Sequence, residues 1–270
     1  MAHPLFGITA PQTMTAALDL NALLANLVPL IRDAGQVIMD IYATDFDVTK
    51  KGDDSPVTQA DQRAEDVILA GLARLAPGIP VVAEEAVSAG KIPEVSDRFF
   101  LVDPLDGTKE FISRNGEFTV NIALIEQGRP VLGLVYAPAI GRLFGGVVGQ
   151  GAWLEDAQGR RPIQCRAVPA EGLTVVASRS HGDETALDAF LGGRTVASRT
   201  NAGSSLKLCL VAAGEADLYP RLGRTMEWDI AAGDAVLRAA GGRVTVVADG
   251  ADLRYGKPDW DNPHFAAGGR

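Results

Sequence analysis

Cysteine and histidine are scarce in this chain, which has two cysteines and three histidines among 270 residues. Neither a Cys-x-x-Cys nor a His-Glu-x-x-His motif is present, which argues against the common zinc sites. The isolated histidines give a Ser-His-Asp triad little support. Cys165 and Cys209 stand far apart in the sequence, and we expect both to be free thiols that serve as small core residues.

Phosphate-binding loops and membrane segments are also missing from the sequence. There is no Walker loop and no Gly-x-Gly-x-x-Gly that opens a helix. No apolar run reaches the length of a membrane span, and residues 1–14 lack the basic region and long apolar core of a secretory signal. We therefore expect a cytoplasmic protein.

The chain is acidic: it has 25 Lys and Arg residues and 34 Asp and Glu residues, for a formal net charge of −9. This balance argues against extended nucleic-acid binding, which depends on clustered basic residues. It leaves a small phosphorylated substrate open, provided that a few cations or metal ions supply local positive charge. The content of 47% hydrophobic and 22% charged residues is typical of a globular protein with a substantial core.

The first part of the chain combines helical and strand-like patterns. Apolar residues recur at steps of three and four over Leu20–Ile41, which predicts an amphipathic helix. A polar turn at 50–54 follows, and a second helix is predicted over Ala64–Leu75, ending before Pro77. Five strand-like segments follow. Gly and Pro turns separate the last three of them, which predicts an antiparallel meander. The strand-like segments are Ile79–Ala83, Phe99–Val102, Phe118–Ile125, Pro130–Tyr136 and Leu143–Val148.

From about residue 165 the pattern changes to alternating strands and helices, which is typical of a layered α/β unit. We predict an α/β protein with an α+β half at 15–165, an α/β half at 166–270 and a junction at 155–166. The predicted strands are Leu173–Ala177, Thr195–Ala197, Ala216–Tyr219 and Arg243–Val247, and the predicted helices are Ala186–Leu191, Leu206–Ala213 and Ile230–Ala240.

Two carboxylates three residues apart, Asp103 and Asp106, stand in the sequence Asp-Pro-Leu-Asp-Gly-Thr. The preceding apolar stretch predicts a buried strand that ends at Asp103, and Pro104 and Gly107 predict a tight turn after it. Strand-end loops carry the chemistry of many α/β proteins. Two unpaired carboxylates at one site repel each other unless a proton or a cation intervenes. Because hard divalent cations prefer oxygen ligands, Mg²⁺ is the natural candidate.

Two other interpretations of this motif stay open. A purely structural turn is one of them, since Asp-Gly is a common turn former. A phosphatase with an aspartyl nucleophile is the other. That class places its two Asp residues two apart, whereas the spacing here is three and Pro104 follows the first Asp. The sequence therefore disfavours a covalent aspartyl-phosphate route.

Further acids stand at predicted strand ends and helix starts. Glu84 and Glu85 follow a predicted strand, Asp229 opens a predicted helix, and Asp61 opens another. Each has a structural alternative: Asp229 as an N-cap, Thr58 with Asp61 as a capping box, and the glutamate pair as a solvated turn.

Together these acids form an ordered set of motifs that resembles a known family. The motifs are Ser55-Pro56-Val57-Thr58-x-x-Asp61, Glu84-Glu85, Asp103-Pro104-Leu105-Asp106-Gly107-Thr108 and Trp228-Asp229-x-x-Ala232-Gly233. The set resembles the inositol monophosphatase superfamily of Mg²⁺-dependent, Li⁺-sensitive phosphatases over about residues 20–267. The resemblance implies a layered αβαβα sandwich of the inositol monophosphatase and fructose-1,6-bisphosphatase type.

Softer features resemble one branch of this superfamily, the CysQ-type 3′(2′),5′-bisphosphate nucleotidases. The extension Lys109-Glu110-Phe111 carries this resemblance. Segments similar to the same branch are Ser178-Arg179-Ser180-His181, Gly203-Ser204-Ser205-Leu206-Lys207 and Tyr219-Pro220-Arg221 through Thr225-Met226-Glu227-Trp228-Asp229. The branch implies removal of the 3′-phosphate from 3′-phosphoadenosine 5′-phosphate, which yields AMP and phosphate, and a role in sulfur assimilation. It leaves peripheral association with the inner membrane open, although nothing in the chain demands it.

The resemblance also implies roles for individual residues. Two or three Mg²⁺ ions would be bound by the side chains of Glu84, Asp103, Asp106 and Asp229 and the backbone carbonyl of Leu105. Asp61 and Thr108 would position and deprotonate the attacking water. Most metal ligands belong to the first half of the chain, and the second half supplies the last ligand and the nucleotide-recognition residues. The implied substrate contacts are Glu84, Leu105, Asp106, Gly107, Thr108, Ser204, Ser205, Lys207, Arg221 and Asp229.

Two alternatives to this function remain, one with the same chemistry and one without catalysis. An inositol or sugar monophosphatase would share the acid set, because specificity depends on the softer matches. A catalytically idle phosphate-binding protein would have kept the fold without the activity. The presence of all the acids together argues against this alternative. The expected partner is thus a small phosphorylated molecule, with no extended nucleic acid and no obligatory membrane.

Overall fold

A computed structural model gives the fold of this chain and describes residues 18–44, 56–178 and 184–269. The helices in these ranges are α1 (Leu20–Tyr42), α2 (Pro56–Leu75), α3 (Glu84–Ser88), α4 (Thr108–Ile112), α5 (Glu184–Leu191), α6 (Leu206–Ala212) and α7 (Glu227–Ala239). The first strands are β1 (Val81–Ala83), β2 (Arg98–Asp106), β3 (Thr119–Glu126), β4 (Arg129–Ala137), β5 (Arg142–Val147), β6 (Gly151–Asp156) and β7 (Gly159–Ile163). The remaining strands are β8 (Leu173–Ser178), β9 (Val196–Ala202), β10 (Leu218–Arg221), β11 (Arg243–Val246) and β12 (Phe265–Gly268).

The first sheet has seven strands in the order β1-β2-β3-β4-β5-β6-β7. β1 pairs with β2 in parallel, and the later neighbours are antiparallel. Both faces of the sheet are covered, because successive residues of a strand point to opposite sides. In β2, Phe99 and Leu101 join one core, whereas Phe100 and Val102 join the other. This explains why the β2 sequence is apolar throughout rather than alternating.

The second sheet has five strands in the order β11-β12-β10-β8-β9. β8 pairs in parallel with β9 and β10, and β12 runs antiparallel to both β10 and β11.

Five layers result from the packing of helices on these sheets. α1 and α2 cover one face of the first sheet, and α6 and α7 fill the space between the two sheets. α5 packs on the outer face of the second sheet through Leu187 and Leu191, which contact Val175. The predicted α/β class and αβαβα layering are confirmed. The division at residue 165 stays a prediction, and α7 from the second part lies against the first sheet.

α7 approaches the first sheet closely because glycine faces it. A Cβ atom on Gly133 of β4 would lie 2.3 Å from the carbonyl oxygen of Ala232 in α7. Any residue with a Cβ atom would collide here. The absence of a side chain on glycine therefore allows the short distance between helix and sheet. The position of every side chain on α7 depends on that distance.

Several predicted boundaries were wrong. β2 does not end before the acidic motif but continues to Asp106, with a register shift against β3 between Asp103 and Asp106. The junction expected at 155–166 stays a prediction, and it includes β7, which pairs with β6 as the edge of the first sheet. Neither β6, β7 nor β12 was predicted. The polar turn at 50–54 and the segment 179–181 lie outside the described residues.

α1 requires a second correction. It is long and apolar enough to cross a membrane by length and composition, so the statement that no segment has that length was wrong. Its apolar side, which includes Leu27, Ile31 and Ile38, is buried against α2 and the first sheet. The core helix of a globular protein meets the same criteria. The expectation of free thiols is confirmed, since Cys165 and the buried Cys209 form no disulfide.

Candidate active site

The acidic motif lies at the end of β2, where the strand bends into α4. Leu105 donates its N–H to Oδ1 of Asp103 at 3.0 Å, which closes a local turn within the strand. Gly107 follows with φ +98°, and a Cβ atom there would lie 3.3 Å from Cα of Phe118. A left-handed backbone at this point favours glycine and turns the chain so that Thr108 begins α4. The bend places Asp103 and Thr108, the two ends of the motif, at the same end of β2.

Three carboxylates from separate elements meet beside this bend. Glu84 begins α3, Asp103 lies in β2 and Asp229 lies in the first turn of α7. One carboxylate oxygen of each lies within 4.8 Å of the others. Asp103 is buried, with 1% of its surface exposed. We call this group the acid cluster, and it brings together three of the predicted metal ligands.

Burial disfavours the ionised form of the carboxyl groups in the acid cluster. Burial, followed by the charge of Asp106, raises the pKa of Glu84 to about 7. Burial and the nearby Glu84 and Asp106 carboxylates raise the pKa of Asp103 well above its ordinary value. The pKa of Asp229 is raised by burial and by Asp106. Converging carboxylates of this kind become stable as anions when a cation lies among them, and a donor set made of oxygen atoms fits Mg²⁺.

Asp106 lies beside the acid cluster and is held from the second part of the chain. Its Oδ2 accepts the N–H of Ser205 at 2.7 Å. Burial raises the pKa of Asp106 to about 6, and Lys207 and the Ser205 N–H oppose that rise. Ser205 also donates its hydroxyl to the carbonyl oxygen of Asp229. The turn at 203–205 therefore connects β2 to α7 through hydrogen bonds.

Asp229 is not the N-cap of α7, because the helix begins two residues earlier. Met226 precedes the helix and donates its N–H to Oδ2 of Asp229 at 2.9 Å. This bond satisfies one oxygen and fixes the orientation of the carboxylate. The structure thus corrects the N-cap alternative while leaving Asp229 at the site.

Asp61 lies in α2 next to the acid cluster, near Glu84 and Glu85. Burial, followed by the charges of Glu85 and Glu84, raises its pKa to about 9. The capping-box alternative for Thr58 and Asp61 was wrong, because α2 begins at Pro56 and both residues lie within the helix. The solvated-turn alternative for the glutamate pair was also wrong, since both residues belong to α3.

A cavity of about 270 Å³ opens beside Asp106 and Asp229. Eight predicted site residues line it, namely Asp106, Gly107, Thr108, Ser204, Ser205, Lys207, Arg221 and Asp229. Glu84, Asp103, Leu105 and Asp61 are not part of its lining. The cavity walls also include Lys109, Glu110, Leu208, Tyr219, Thr225 and Ile230, which had not been assigned a site role from the sequence.

Two cations stand on the side of the cavity formed by the second part of the chain. Lys207 is 5% exposed and donates its ammonium group to the carbonyl oxygens of Ser204 at 2.6 Å and Ala202 at 3.3 Å. Burial lowers its pKa to about 8, although Asp106 opposes that change. Arg221 is half-buried and donates one N–H to the carbonyl oxygen of Arg224 at 2.7 Å.

Two polar residues beneath the site were missed by sequence reasoning. Thr119 and Asn121 lie on β3 directly opposite Asp106 and Asp103, so each pair shares one face of the sheet. Both are fully buried. The Asn121 amide helps to lower the pKa of Asp106, whereas the Thr119 hydroxyl has no hydrogen-bond partner among the described residues. The available signal was their polarity within an otherwise apolar strand.

Comparison with known proteins places the chain in a family. The sequence matches the inositol monophosphatase family over residues 19–268. It is 51% identical over 224 residues to the 3′(2′),5′-bisphosphate nucleotidase CysQ of Salmonella typhimurium, covering 82% of this chain and 89% of that protein. It is 34% identical over 227 residues to the inositol-1-monophosphatase of Mesorhizobium japonicum, covering 83% and 82% respectively. The solved structure of CysQ from Bacteroides thetaiotaomicron has a TM-score of 0.80 at 38% identity, covering 92% of this chain and 97% of that one.

Proposed function

The chain belongs to the inositol monophosphatase family, and we propose that it is a Mg²⁺-dependent 3′(2′),5′-bisphosphate nucleotidase. It would remove the 3′-phosphate from 3′-phosphoadenosine 5′-phosphate by hydrolysis, which gives AMP and phosphate and contributes to sulfur assimilation. The observation that supports this most is the acid cluster beside a cavity whose far side carries Lys207 and Arg221. Such a site offers metal ligands for one phosphate and cations for another.

The residues of the site fit magnesium in chemistry and in burial. Glu84, Asp103, Asp106 and Asp229 would hold two or three ions together with the Leu105 carbonyl. When bound, Mg²⁺ supplies charge that lowers the pKa of water and balances the negative charge that develops at phosphorus. Inhibition by Li⁺ belongs to the same proposal.

The protein's own groups would position the water and move its proton. Asp61 would accept the proton once cations in the acid cluster lower its raised pKa, with Thr108 orienting the water by hydrogen bonding. The water oxygen forms a bond to phosphorus, and the bond from phosphorus to the ribose 3′-oxygen breaks. That oxygen takes a proton from solvent water and leaves as a hydroxyl, and Asp61 later returns its own proton to solvent. The N–H groups of Gly107 and Thr108, at the start of α4, are suited to the phosphate oxygens. No covalent bond to the protein is needed.

Recognition of the nucleotide would come from the opposite side of the cavity. Lys207 and Arg221 would bind the 5′-phosphate and sugar, since an ammonium group and a forked guanidinium both pair well with phosphate. Ser204 and Ser205 would contribute hydrogen bonds from the turn between β9 and α6. A monophosphate would leave Lys207 and Arg221 without a phosphate to bind, and the site therefore favours a bisphosphate.

Phosphate release from three substrates tests this function. The purified protein is incubated with 3′-phosphoadenosine 5′-phosphate, inositol 1-phosphate or fructose 1,6-bisphosphate, each with Mg²⁺, with EDTA and with Mg²⁺ plus Li⁺. We expect the nucleotide to be preferred, and EDTA and Li⁺ to inhibit. Preference for inositol 1-phosphate would favour the monophosphatase alternative, which the relative from Mesorhizobium japonicum supports. No release from any substrate would contradict both. The cytoplasmic location stays a prediction.

A further inference from the structure

The start of α7 has no Ser, Thr, Asp or Asn as its N-cap residue, although a capping box joins Met226 and Asp229. Met226 precedes the helix, and its thioether sulfur is a weak acceptor where Ser, Thr or Asp would accept the first helical N–H groups. The N–H of Glu227 instead donates to the carbonyl oxygen of Trp260 at 2.8 Å. A segment distant in sequence therefore accepts the first N–H of the helix, which has no acceptor within the helix itself.

This segment, residues 254–262, is called here the C-terminal strap. Asn262 donates its backbone N–H to the carbonyl oxygen of Thr225 at 2.9 Å and its side-chain amide to that of Met226 at 2.8 Å. Asp261 and Met226 also form an antiparallel bridge. The strap thus holds the chain just before α7, where Thr225 lines the cavity.

Glu227 connects the strap to the first residue of α7. Its side chain is fully buried, and Oε2 accepts the N–H of Gly256 at 2.7 Å. Oε1 accepts the N–H of Lys257 at 3.0 Å and lies 2.5 Å from the Lys257 ammonium group. Removing a carboxylate from water is costly unless donors replace the water, and here the strap supplies all three donors.

Glu227 and Asp229 point to different sides of the helix. Residues two apart on an α-helix are separated by about 200° around its axis. Glu227 therefore faces the strap while Asp229 faces the acid cluster. Because Met226 donates its N–H to Asp229 and is itself bound by Asn262, the strap acts on the same turn that orients the Asp229 carboxylate.

We propose that Glu227 is a positioning residue for the metal site: by binding the C-terminal strap, it holds the first turn of α7 so that Asp229 completes the acid cluster. The proposal rests on the proposed function in assuming that the acid cluster binds Mg²⁺. A purely structural role would stabilise the fold without changing the affinity for Mg²⁺.

The test compares Mg²⁺ binding by the full-length protein and the variant Glu227→Gln. Glutamine presents an NH₂ group to a backbone N–H, so at least one strap bond is lost. We expect the Mg²⁺ concentration for half-maximal activity to rise about tenfold, with kcat at saturating Mg²⁺ within about twofold of wild type. Isothermal titration with Mg²⁺ alone should show the same loss of affinity. Asn262→Ala, which acts from the other side of the turn, should change both measurements in the same direction.

Tyr255→Phe is the matched control. Tyr255 lies on the same strap and donates its hydroxyl to Asp234 at 2.8 Å, about two turns further along α7. This variant should lower the melting temperature and leave Mg²⁺ binding unchanged. The proposal is wrong if Glu227→Gln and Asn262→Ala bind Mg²⁺ like wild type, or if Tyr255→Phe weakens binding equally. If wild type binds Mg²⁺ but hydrolyses no phosphate ester, the proposed function fails, and calorimetry still decides the role of Glu227.

Discussion

Replacing Glu84 by glutamine should stabilise the protein in the absence of metal ions. Burial, Asp106 and Glu85 raise the pKa of Glu84 from 4.5 to about 7 in the folded protein. One pKa unit corresponds to about 1.4 kcal/mol, so a difference of about 2.5 means that ionising this group costs up to about 3 kcal/mol of folding free energy. The cost is absent well below pH 4.5, where the carboxyl is neutral in both states. It grows as the pH rises and is complete above pH 7.

Thermal unfolding followed by circular dichroism measures this effect. In EDTA at pH 8, Glu84→Gln should melt higher than wild type by up to about 6–12 °C, given 2–4 °C per kcal/mol for a chain of this size. At pH 5 the difference should be small. Mg²⁺ should raise the melting temperature of wild type and have little effect on the variant. Glu94 is exposed, so Glu94→Gln serves as the control and should change neither measurement.

The reasoning is refuted by one outcome in particular. If Glu84→Gln melts at or below the wild-type temperature at pH 8 in EDTA, the carboxylate is not a source of electrostatic strain. The acid cluster would then need no cation for stability. A difference between variant and wild type that is equal at pH 5 and pH 8 would have the same meaning, because it could not come from ionisation.

Other substitutions test the remaining parts of the site. Asp106→Asn should lower kcat about a hundredfold without unfolding the protein, since the amide oxygen still accepts the Ser205 N–H; near-normal kcat would exclude a role as metal ligand. Lys207→Met should raise KM for 3′-phosphoadenosine 5′-phosphate about tenfold or more, as the loss of a charged hydrogen bond predicts, and equal effects on inositol 1-phosphate would contradict 5′-phosphate recognition. Gly133→Ala places a Cβ 2.3 Å from the Ala232 carbonyl oxygen and should cost about 1–3 kcal/mol in urea unfolding; an unchanged midpoint would show that α7 can move away freely.

The elements that periodicity predicted well are those whose burial is continuous along the sequence. α1 spans Leu20–Tyr42, close to the predicted Leu20–Ile41, because one helical face packs on the sheet throughout. β7 has the sequence Gly-Arg-Arg-Pro-Ile and forms an edge strand with little apolar content, so no alternation could reveal it. β12 has four residues and is defined by pairing with β10 and β11, whose residues lie 19 or more positions earlier in the chain. Such pairing is a property of the fold rather than of local sequence.

The candidate site likewise contains some residues that the local sequence predicts and others that it does not. The Asp103–Thr108 motif could be recognised because its acids, proline and glycine lie within six consecutive residues. The positions of Thr119 and Asn121 beneath those acids depend on strand register, which the sequence does not display. The roles of Gly256 and Lys257 depend on contacts 29 and 30 residues away from Glu227. Local motifs could thus identify ligands but not the groups that hold them.

The origin of the three acid-cluster residues explains why so much of the fold supports one site. Glu84 and Asp103 belong to the first sheet and its adjoining helix, whereas Asp229 belongs to a helix packed between the two sheets. Without cations their mutual repulsion favours separation of α7 from β2. The contacts that resist separation are close packing at Gly133, the bonds of Ser205 to Asp106 and Asp229, and the strap at Glu227. Because each of these restraints acts before a cation arrives, the free energy of the proposed Mg²⁺ binding would not be spent on assembling the ligands and would remain available for the chemistry of the phosphate.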